Sequence, residues 1–160
     1  MNIFILDYDI KKCTQNLVDS HASKMVLETA QLLCTTLNIL GVETPYKSCH
    51  MNHPCRLWAG KTQQNFAWLI DYGIALSEEF AYRYEKFHKS QDIIQECAKF
   101  INKVPAGPLT KFAQAMPDEY KTDDAVHAYR NYYKGAKTHL FKWTKREMPS
   151  WIKLAQENDI

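Results

Sequence analysis

Apolar residues recur at helical spacing between residues 22 and 40. The positions that form this stripe are Ala22, Met25, Thr29, Leu32, Leu33, Thr36, Leu37 and Leu40. Asp19 or Ser20 is placed to cap the start of a helix, and Gly41 follows where a helix commonly ends. The pattern therefore predicts a long helix that ends near Leu40 and buries one face.

A second long helix is predicted over residues 62–84. Its expected buried positions are Phe66, Leu69, Ile70, Ile74, Leu76 and Phe80. Gly73 in its interior costs about 1 kcal/mol relative to alanine, so we expect a close neighbour there. Pro54 suits the first turn of a shorter helix. Further helices are predicted over residues 90–102 and 123–141, with loops over residues 42–52 and 104–120.

The chain begins with a short apolar segment, residues 3–6, which favours an extended conformation. The last residues, after Pro149-Ser150-Trp151, predict a short amphipathic segment. Together these elements predict a mostly α, compact, single-domain helical bundle with a short extended N-terminal segment. We expect one domain over residues 1–160, because this length suits one hydrophobic core.

Composition narrows the class of protein. Aromatic residues make up 12% of the 160 residues, which argues against disorder. We find no signal peptide and no apolar run long enough for a membrane helix, so we expect a cytoplasmic protein that does not bind membranes. The five cysteines form no CxxC pair, which predicts reduced thiols and no structural zinc site.

Charge is mildly positive overall, at +2, but it is unevenly distributed. Residues 121–153 contain eight lysines and arginines against three acidic residues. Such a basic region is suited to binding phosphate, or it is simply a solvated face.

One polar helix face carries candidate catalytic residues. His21, Lys24, Glu28 and Gln31 fall on one side of the first long helix. They form either a solvent-exposed face with one weak Lys24–Glu28 ion pair or an acid–base and phosphate-binding cluster. Apolar positions flank Glu28, which favours a place at the edge of a cleft.

Two histidines form a second candidate group, within Cys49-His50-Met51-Asn52-His53-Pro54. These residues suit structural hydrogen bonding, contact with a substrate near a helix N-terminus, or a metal site shared with Glu28 or His21. The spacing matches no common metal-binding motif, and the chain also lacks nucleotide-binding glycine motifs and a hydrolase GxSxG elbow.

A third group, residues 128–134, alternates aromatic and cationic side chains and is followed by Lys137, His139 and Trp143. This arrangement is typical of surfaces that stack on bases and contact phosphates, or of an amphipathic helix with Tyr129 and Tyr133 inward.

The order of several short motifs resembles a known family. They are the apolar leader, a helix with a carboxylate, His53-Pro54, Trp58-Ala59-Gly60, Tyr72-Gly73, His127-Ala128-Tyr129-Arg130 and Pro149-Ser150-Trp151. The chain resembles a divergent member of the pyrimidine-dimer DNA glycosylases of the phage endonuclease V type. It is also similar to small phage proteins of uncharacterised function that begin with such a leader.

This resemblance implies a helical fold with the N-terminus in the active site and an α-amine as nucleophile. A neutral α-amine attacks the sugar of a damaged nucleotide, and a glutamate supports sugar opening and strand cleavage. Asn2 is bulky, so we expect Met1 to be retained and to provide the amine. Carried onto this chain, the catalytic residues are Met1, Glu28 and His21, and Lys24 is the alternative nucleophile.

The same resemblance implies double-stranded DNA, damaged or modified, as the partner, and no cofactor. The expected substrate-binding residues are Lys24, His50, Asn52, His53, Arg130, Lys134 and Lys137. Two other functions remain open. One is a non-catalytic binder of nucleotides or proteins with the same fold. The other is a metal-dependent phosphohydrolase that uses His21, Glu28, His50 and His53.

Overall fold

The computed structural model describes residues 1–153, and its regular secondary structure over this range is helical. The α-helices are α1 (Ile10–Asn16), α2 (Asp19–Ile39), α3 (Pro54–Ala59), α4 (Gln63–Tyr84), α5 (Ser90–Ala98) and α6 (Ala125–Ala136). Short 3₁₀ helices span Ile101–Lys103, Asp118–Tyr120 and Thr138–Leu140. Residues 150–153 are also helical, and the predicted amphipathic end beyond Lys153 lies outside the described residues. The mostly α fold predicted from the sequence is confirmed.

Both long helices lie close to where the hydrophobic pattern places them. The predicted cap at Asp19 or Ser20 is wrong: both residues lie within α2, and its N-cap, Val18, makes no side-chain cap hydrogen bond. Gly41 follows the helix with a φ of +89°, a conformation that favours glycine. Thr62 caps α4 by accepting a hydrogen bond from the Asn65 backbone N–H. Leu40 was expected to be buried but is 39% exposed, because the helix has already ended there.

Three details differ from the predicted elements. The helix predicted over residues 90–102, α5, ends at Ala98. The sequence pattern did not predict α1, a short helix with a largely polar sequence whose N-cap, Asp9, accepts from the Lys12 backbone N–H. Helix α6 was predicted to reach Phe141 but ends at Ala136, and the chain continues as a 3₁₀ turn after Lys137. This earlier end places Lys137 just past the helix, at its C-cap.

Helices α2, α4 and α5 pack against one another around the hydrophobic core. Gly73, in the interior of α4, allows α2 and α5 to approach α4 closely. A Cβ atom at Gly73 would lie 2.9 Å from Ile94 Cδ1 and 3.0 Å from Thr29 Cγ2. The close neighbour expected at Gly73 is therefore present, on both α5 and α2.

The N-terminal segment, residues 2–6, is buried within the helices and has no regular secondary structure. Side chains satisfy several of its backbone groups. The Leu6 N–H contacts Cys13 Sγ at 3.3 Å, the Cys13 thiol donates to the Phe4 carbonyl, and Arg130 Nε donates to the Leu6 carbonyl at 2.8 Å. Burial of this segment fixes the position of the first residue.

A buried ion cluster joins α2, α4 and the C-terminal region. Glu79 accepts hydrogen bonds from Arg83 Nε at 2.8 Å and from two nitrogens of Arg146 at 3.0 and 2.9 Å. Arg83 also pairs with Asp19 at 3.1 Å and donates to the Leu17 carbonyl at 2.7 Å. Every charged group in this cluster has partners, as a stable buried ion cluster requires.

The remaining sequence expectations at this level concern thiols and membranes. All five cysteines are free thiols, and four of them are buried. Across residues 1–153, no helix combines the length and apolarity needed to cross a bilayer.

Candidate active site at the N-terminus

A cleft of about 370 Å³ opens where the first residue meets α2 and the end of α6. We call it the N-terminal cleft. Its lining residues are Met1, Asn2, Phe4, Ser20, His21, Lys24, Met25, Glu28, Tyr132, Lys137 and Leu140. Glu28 is the only acidic residue among those of residues 1–153 that line it, whereas Lys24, Lys137 and the α-amine of Met1 are basic.

Asn2 anchors the end of the chain in this cleft. Its side-chain amide donates to the Ala115 carbonyl at 2.8 Å and accepts from the Tyr129 hydroxyl at 2.8 Å. Tyr129 is itself fully buried. The Met1 amine then lies 3.1 Å from Glu28 Oε1, within ion-pair distance. The large second residue of the sequence thus holds the amine in place.

Glu28 has one partner and one unused oxygen. The residue is 8% exposed, and its Oε2 atom is buried without a hydrogen-bond donor among the described residues. The predicted i,i+4 ion pair with Lys24 does not form; the Met1 amine takes that place. A buried carboxylate oxygen without a donor is costly, so Glu28 keeps one unsatisfied acceptor at the cleft.

His21 lies under the cleft as a neutral imidazole. Its ring stacks on Phe4 with centroids 4.1 Å apart, and its Nδ1 lies 2.6 Å from the Tyr133 hydroxyl. Burial, and then the charges of Lys137 and Lys24, lower the pKa of His21 from 6.5 to about 3. His21 therefore contributes hydrogen bonding to the site rather than positive charge.

The Tyr133 hydroxyl and His21 Nδ1 form a buried hydrogen bond of 2.6 Å, and the same hydroxyl accepts from the Val18 backbone N–H at 3.4 Å. A neutral imidazole has one N–H donor and one acceptor nitrogen, and either can face a hydroxyl. The tautomer in which Nδ1 is the acceptor carries its N–H donor at Nε2.

His53 does not line the cleft, although the charge of the N-terminus acts on its pKa. Its Nδ1 accepts from the Cys55 backbone N–H at 3.1 Å, which caps α3. Burial, the N-terminal ammonium and His50 lower the pKa of His53, and Glu28 and a hydrogen bond to the Met1 backbone oppose them. His21, Glu28, His53 and the N-terminus thus share one region of the molecule.

Two other polar residues of the loop before α3, His50 and Asn52, were also predicted to bind the substrate. His50 and Asn52 are exposed and do not line the cleft, and His50 adopts a positive φ of 49°. Their predicted substrate contacts stay predictions. Among residues 1–153, no three His, Cys, Asp or Glu side chains lie close enough to hold a metal ion. The ligand set of a phosphohydrolase is therefore not formed within this range.

The basic residues of the C-terminal third divide into two groups. Arg130 is engaged internally: it donates to the Leu6 carbonyl, pairs with Asp7 at 3.3 Å and lies 5.2 Å from the Trp151 ring centroid. Lys134 does not line the cleft. Lys137 does, with its Nζ 4.9 Å from the Tyr132 ring centroid.

Sequence reasoning missed the aromatic floor of the cleft. The rings of Phe4 and Tyr133 have their centroids 4.1 and 5.5 Å from that of His21, and the Tyr132 ring centroid lies 6.3 Å from that of Phe4. The two tyrosines belong to the group of aromatic and cationic residues predicted from the sequence. For Phe4 the sequence predicted only a place in the apolar N-terminal segment. Their proximity depends on a contact between the first residues and α6, which no local pattern reveals.

The arrangement joins an amine, a carboxylate, a neutral imidazole donor and two lysines at one cleft. An amine beside a carboxylate can attack a carbonyl carbon or a sugar carbon, and the carboxylate can transfer the protons involved. Comparison with models of known protein families, with characterised proteins and with solved structures yields no match.

Proposed function

We propose that this protein is a DNA glycosylase/AP lyase that acts in the cytoplasm on a damaged or modified nucleotide of double-stranded DNA. One observation carries the proposal: the Met1 α-amine lies 3.1 Å from the buried carboxylate of Glu28 in the N-terminal cleft. An α-amine loses its proton nearer neutral pH than a lysine amine does, which favours it as a nucleophile.

The proposed reaction begins with loss of the base. Glu28 stabilises positive charge on the sugar as the bond from C1′ to the base breaks, and the Met1 nitrogen bonds to C1′. The ring oxygen takes a proton as the sugar opens, and the nitrogen and C1′ then share an imine. Removal of a proton from C2′ forms a C2′–C3′ double bond and expels the 3′-phosphate. Water hydrolyses the imine and returns the free amine.

The other residues of the cleft support binding. His21 offers its N–H to an oxygen of the sugar, while Lys24 and Lys137 attract phosphate. Damaged nucleotides leave the helix more easily than intact ones, because their stacking and pairing are already weakened. The cleft therefore suits a nucleotide that has been displaced from the duplex.

Borohydride trapping tests this proposal. The protein, verified by mass to begin with Met1, is incubated with duplexes that contain an abasic site, a pyrimidine dimer or a modified base. Reduction of the imine should yield a covalent adduct that maps to the Met1 peptide. Acetylation of the α-amine, or an added N-terminal residue, should abolish this adduct.

Two outcomes would change the proposal. If the adduct maps to Lys24, the lyase chemistry stands but the nucleophile is Lys24. If no duplex gives an adduct or a cleaved strand, the enzymatic function is wrong. DNA binding without chemistry would then favour a non-catalytic binder with this fold.

A further inference from the structure

The N-terminal cleft holds more positive charge than its own residues neutralise. Lys24, Lys137 and the Met1 amine face one carboxylate, Glu28. That carboxylate pairs with the amine, and within residues 1–153 neither lysine forms an ion pair. The cleft is therefore suited to a ligand that brings negative charge with it.

Aromatic rings position one of these cations without neutralising it. Lys137 Nζ lies 4.9 Å from the ring centroid of Tyr132 and 6.0 Å from that of Phe4. A lysine over aromatic faces is attracted by the ring quadrupoles, and the rings have no net charge with which to neutralise it. Lys24, one turn before Glu28 on α2, lines the same cleft. Both lysines lie close enough to His21 for their charges to lower its pKa.

Other cations of the basic C-terminal third are less available. Arg146 pairs with Glu79, Arg130 with Asp7 and Lys145 with Glu85. The charge available for phosphate thus lies partly within the cleft rather than only along an outer surface. The volume of about 370 Å³ is at the lower end for ligand pockets and suits one sugar with one phosphate.

The unused Oε2 of Glu28 is a second, independent indication of a ligand. This atom is buried and has no donor among the described residues, although it belongs to a residue that lines the cleft. A hydroxyl group of a bound sugar would supply the missing donor. The cleft thus combines an acceptor for a hydroxyl, two cations for a phosphate and an amine for an aldehyde.

We propose that the N-terminal cleft recognises a 5-phosphorylated deoxysugar aldehyde, with the phosphate between Lys24 and Lys137 and C1 at the Met1 amine. This inference rests on the proposed function and names its substrate class: an abasic sugar with a terminal 5′-phosphate, of which 2-deoxyribose 5-phosphate is the smallest example. The amine adds to the aldehyde carbon, water leaves, and an imine forms. Where the 3′-oxygen carries a DNA strand, loss of the C2′ proton expels that strand as a 5′-phosphate.

Trapping with small sugars tests the inference. Borohydride reduction with 2-deoxyribose 5-phosphate should label the Met1 peptide about tenfold faster than reduction with 2-deoxyribose, since one charge-assisted hydrogen bond contributes about that much. Lys24→Gln and Lys137→Gln should each remove most of this preference, measured as the ratio of the labelling rates for the two sugars. Lys86→Gln removes an exposed lysine outside the cleft and is the matched control.

Two duplex substrates and a competitor extend the test. A duplex incised on the 5′ side of an abasic site should be trapped faster than one with an intact internal site. Inorganic phosphate should slow trapping of 2-deoxyribose 5-phosphate more than chloride at equal ionic strength. Circular dichroism of the lysine variants confirms that any loss is not due to unfolding.

The outcomes separate this inference from the proposed function. Equal labelling by both sugars, together with trapping of an internal abasic site, would overturn the phosphate site and leave the lyase intact. If the sugar phosphate is trapped but no abasic duplex is, the phosphate site is supported and DNA is not the substrate. No adduct with any aldehyde would overturn both.

Discussion

Glu28 and Glu79 are buried carboxylates on the two long helices, and their surroundings are opposite. Glu79 is 4% exposed, and both its oxygens accept hydrogen bonds from Arg83 and Arg146. Glu28 is 8% exposed, and among residues 1–153 it has only the Met1 amine within ion-pair distance and no donor for Oε2. Both oxygens of Glu79 therefore have donors, whereas one oxygen of Glu28 has none among the described residues.

This difference separates a structural role from a functional one. Burial raises the pKa of Glu79, but the hydrogen bonds and charges of Arg146 and Arg83 outweigh it and hold that pKa below its usual value. Such a charge stabilises the fold and has no capacity left for a ligand. Glu28 retains an acceptor, lies in a cleft and touches a nucleophile. The same substitution at both positions should therefore have opposite consequences.

The largest expected effect is the loss of stability in Glu79→Gln. The amide group of glutamine places N–H donors against an arginine and leaves Arg83 buried without its full partner. We expect the free energy of unfolding to fall by about 3–5 kcal/mol, as when one member of a buried ion pair is removed. Urea unfolding measures this free energy. The rate of base release per folded molecule should stay near that of the wild type. A loss below about 1 kcal/mol would contradict the structural role of Glu79.

Glu28→Gln should show the reverse pattern. Glutamine keeps an acceptor oxygen for the Met1 amine, and its NH₂ group replaces an oxygen that has no donor to lose. We expect stability to change by at most about 1 kcal/mol, the contribution of one neutral hydrogen bond. Base release in single turnovers should slow by about 100-fold or more, with DNA binding little changed. Unchanged chemistry in this variant would exclude Glu28 as the catalytic carboxylate.

A smaller effect should appear in the pH dependence of stability, through His21. Its pKa falls from 6.5 to about 3 on folding, so the unfolded chain binds a proton over this window and the folded chain does not. Stability from this group is complete above pH 6.5 and declines by about 1.4 kcal/mol per pH unit as the pH falls.

His21→Gln should lack this component, so its stability relative to wild type should improve as the pH is lowered. The pH dependence that Glu79 contributes is present in both proteins and cancels in this comparison, which covers the range from pH 6.5 to about 3. Parallel pH profiles for the two proteins would show that His21 is not a buried neutral group.

Local patterns accounted for much of the fold. The positions of α2 and α4 follow from apolar spacing and from capping by Thr62 and glycine after the helix end. The face that carries His21, Lys24 and Glu28 is also a consequence of helical geometry. The short helix α1 was missed, because its seven residues contain too few apolar positions to show a period.

The candidate site depends on contacts that no local pattern contains. Whether Glu28 would pair with Lys24, four residues away, or with the first residue of the chain could not be deduced from spacing. The observed Met1 pairing requires residues 2–6 to be buried and Asn2 to bind Ala115 and Tyr129, both more than 100 residues away. Likewise, the basic character of residues 121–153 did not reveal that Arg130 and Arg146 pair internally while Lys137 faces the cleft.

The sequence by itself determined the helical class of this protein, the faces of its long helices and the residue types available for chemistry. These depend on periodicity and capping, which act over a few residues. Only the tertiary structure decided which carboxylate is saturated, which histidine is neutral and which lysines remain available. Those properties arise from burial and from partners distant in the chain, because the pKa and pairing of a charged group depend on what surrounds it in three dimensions.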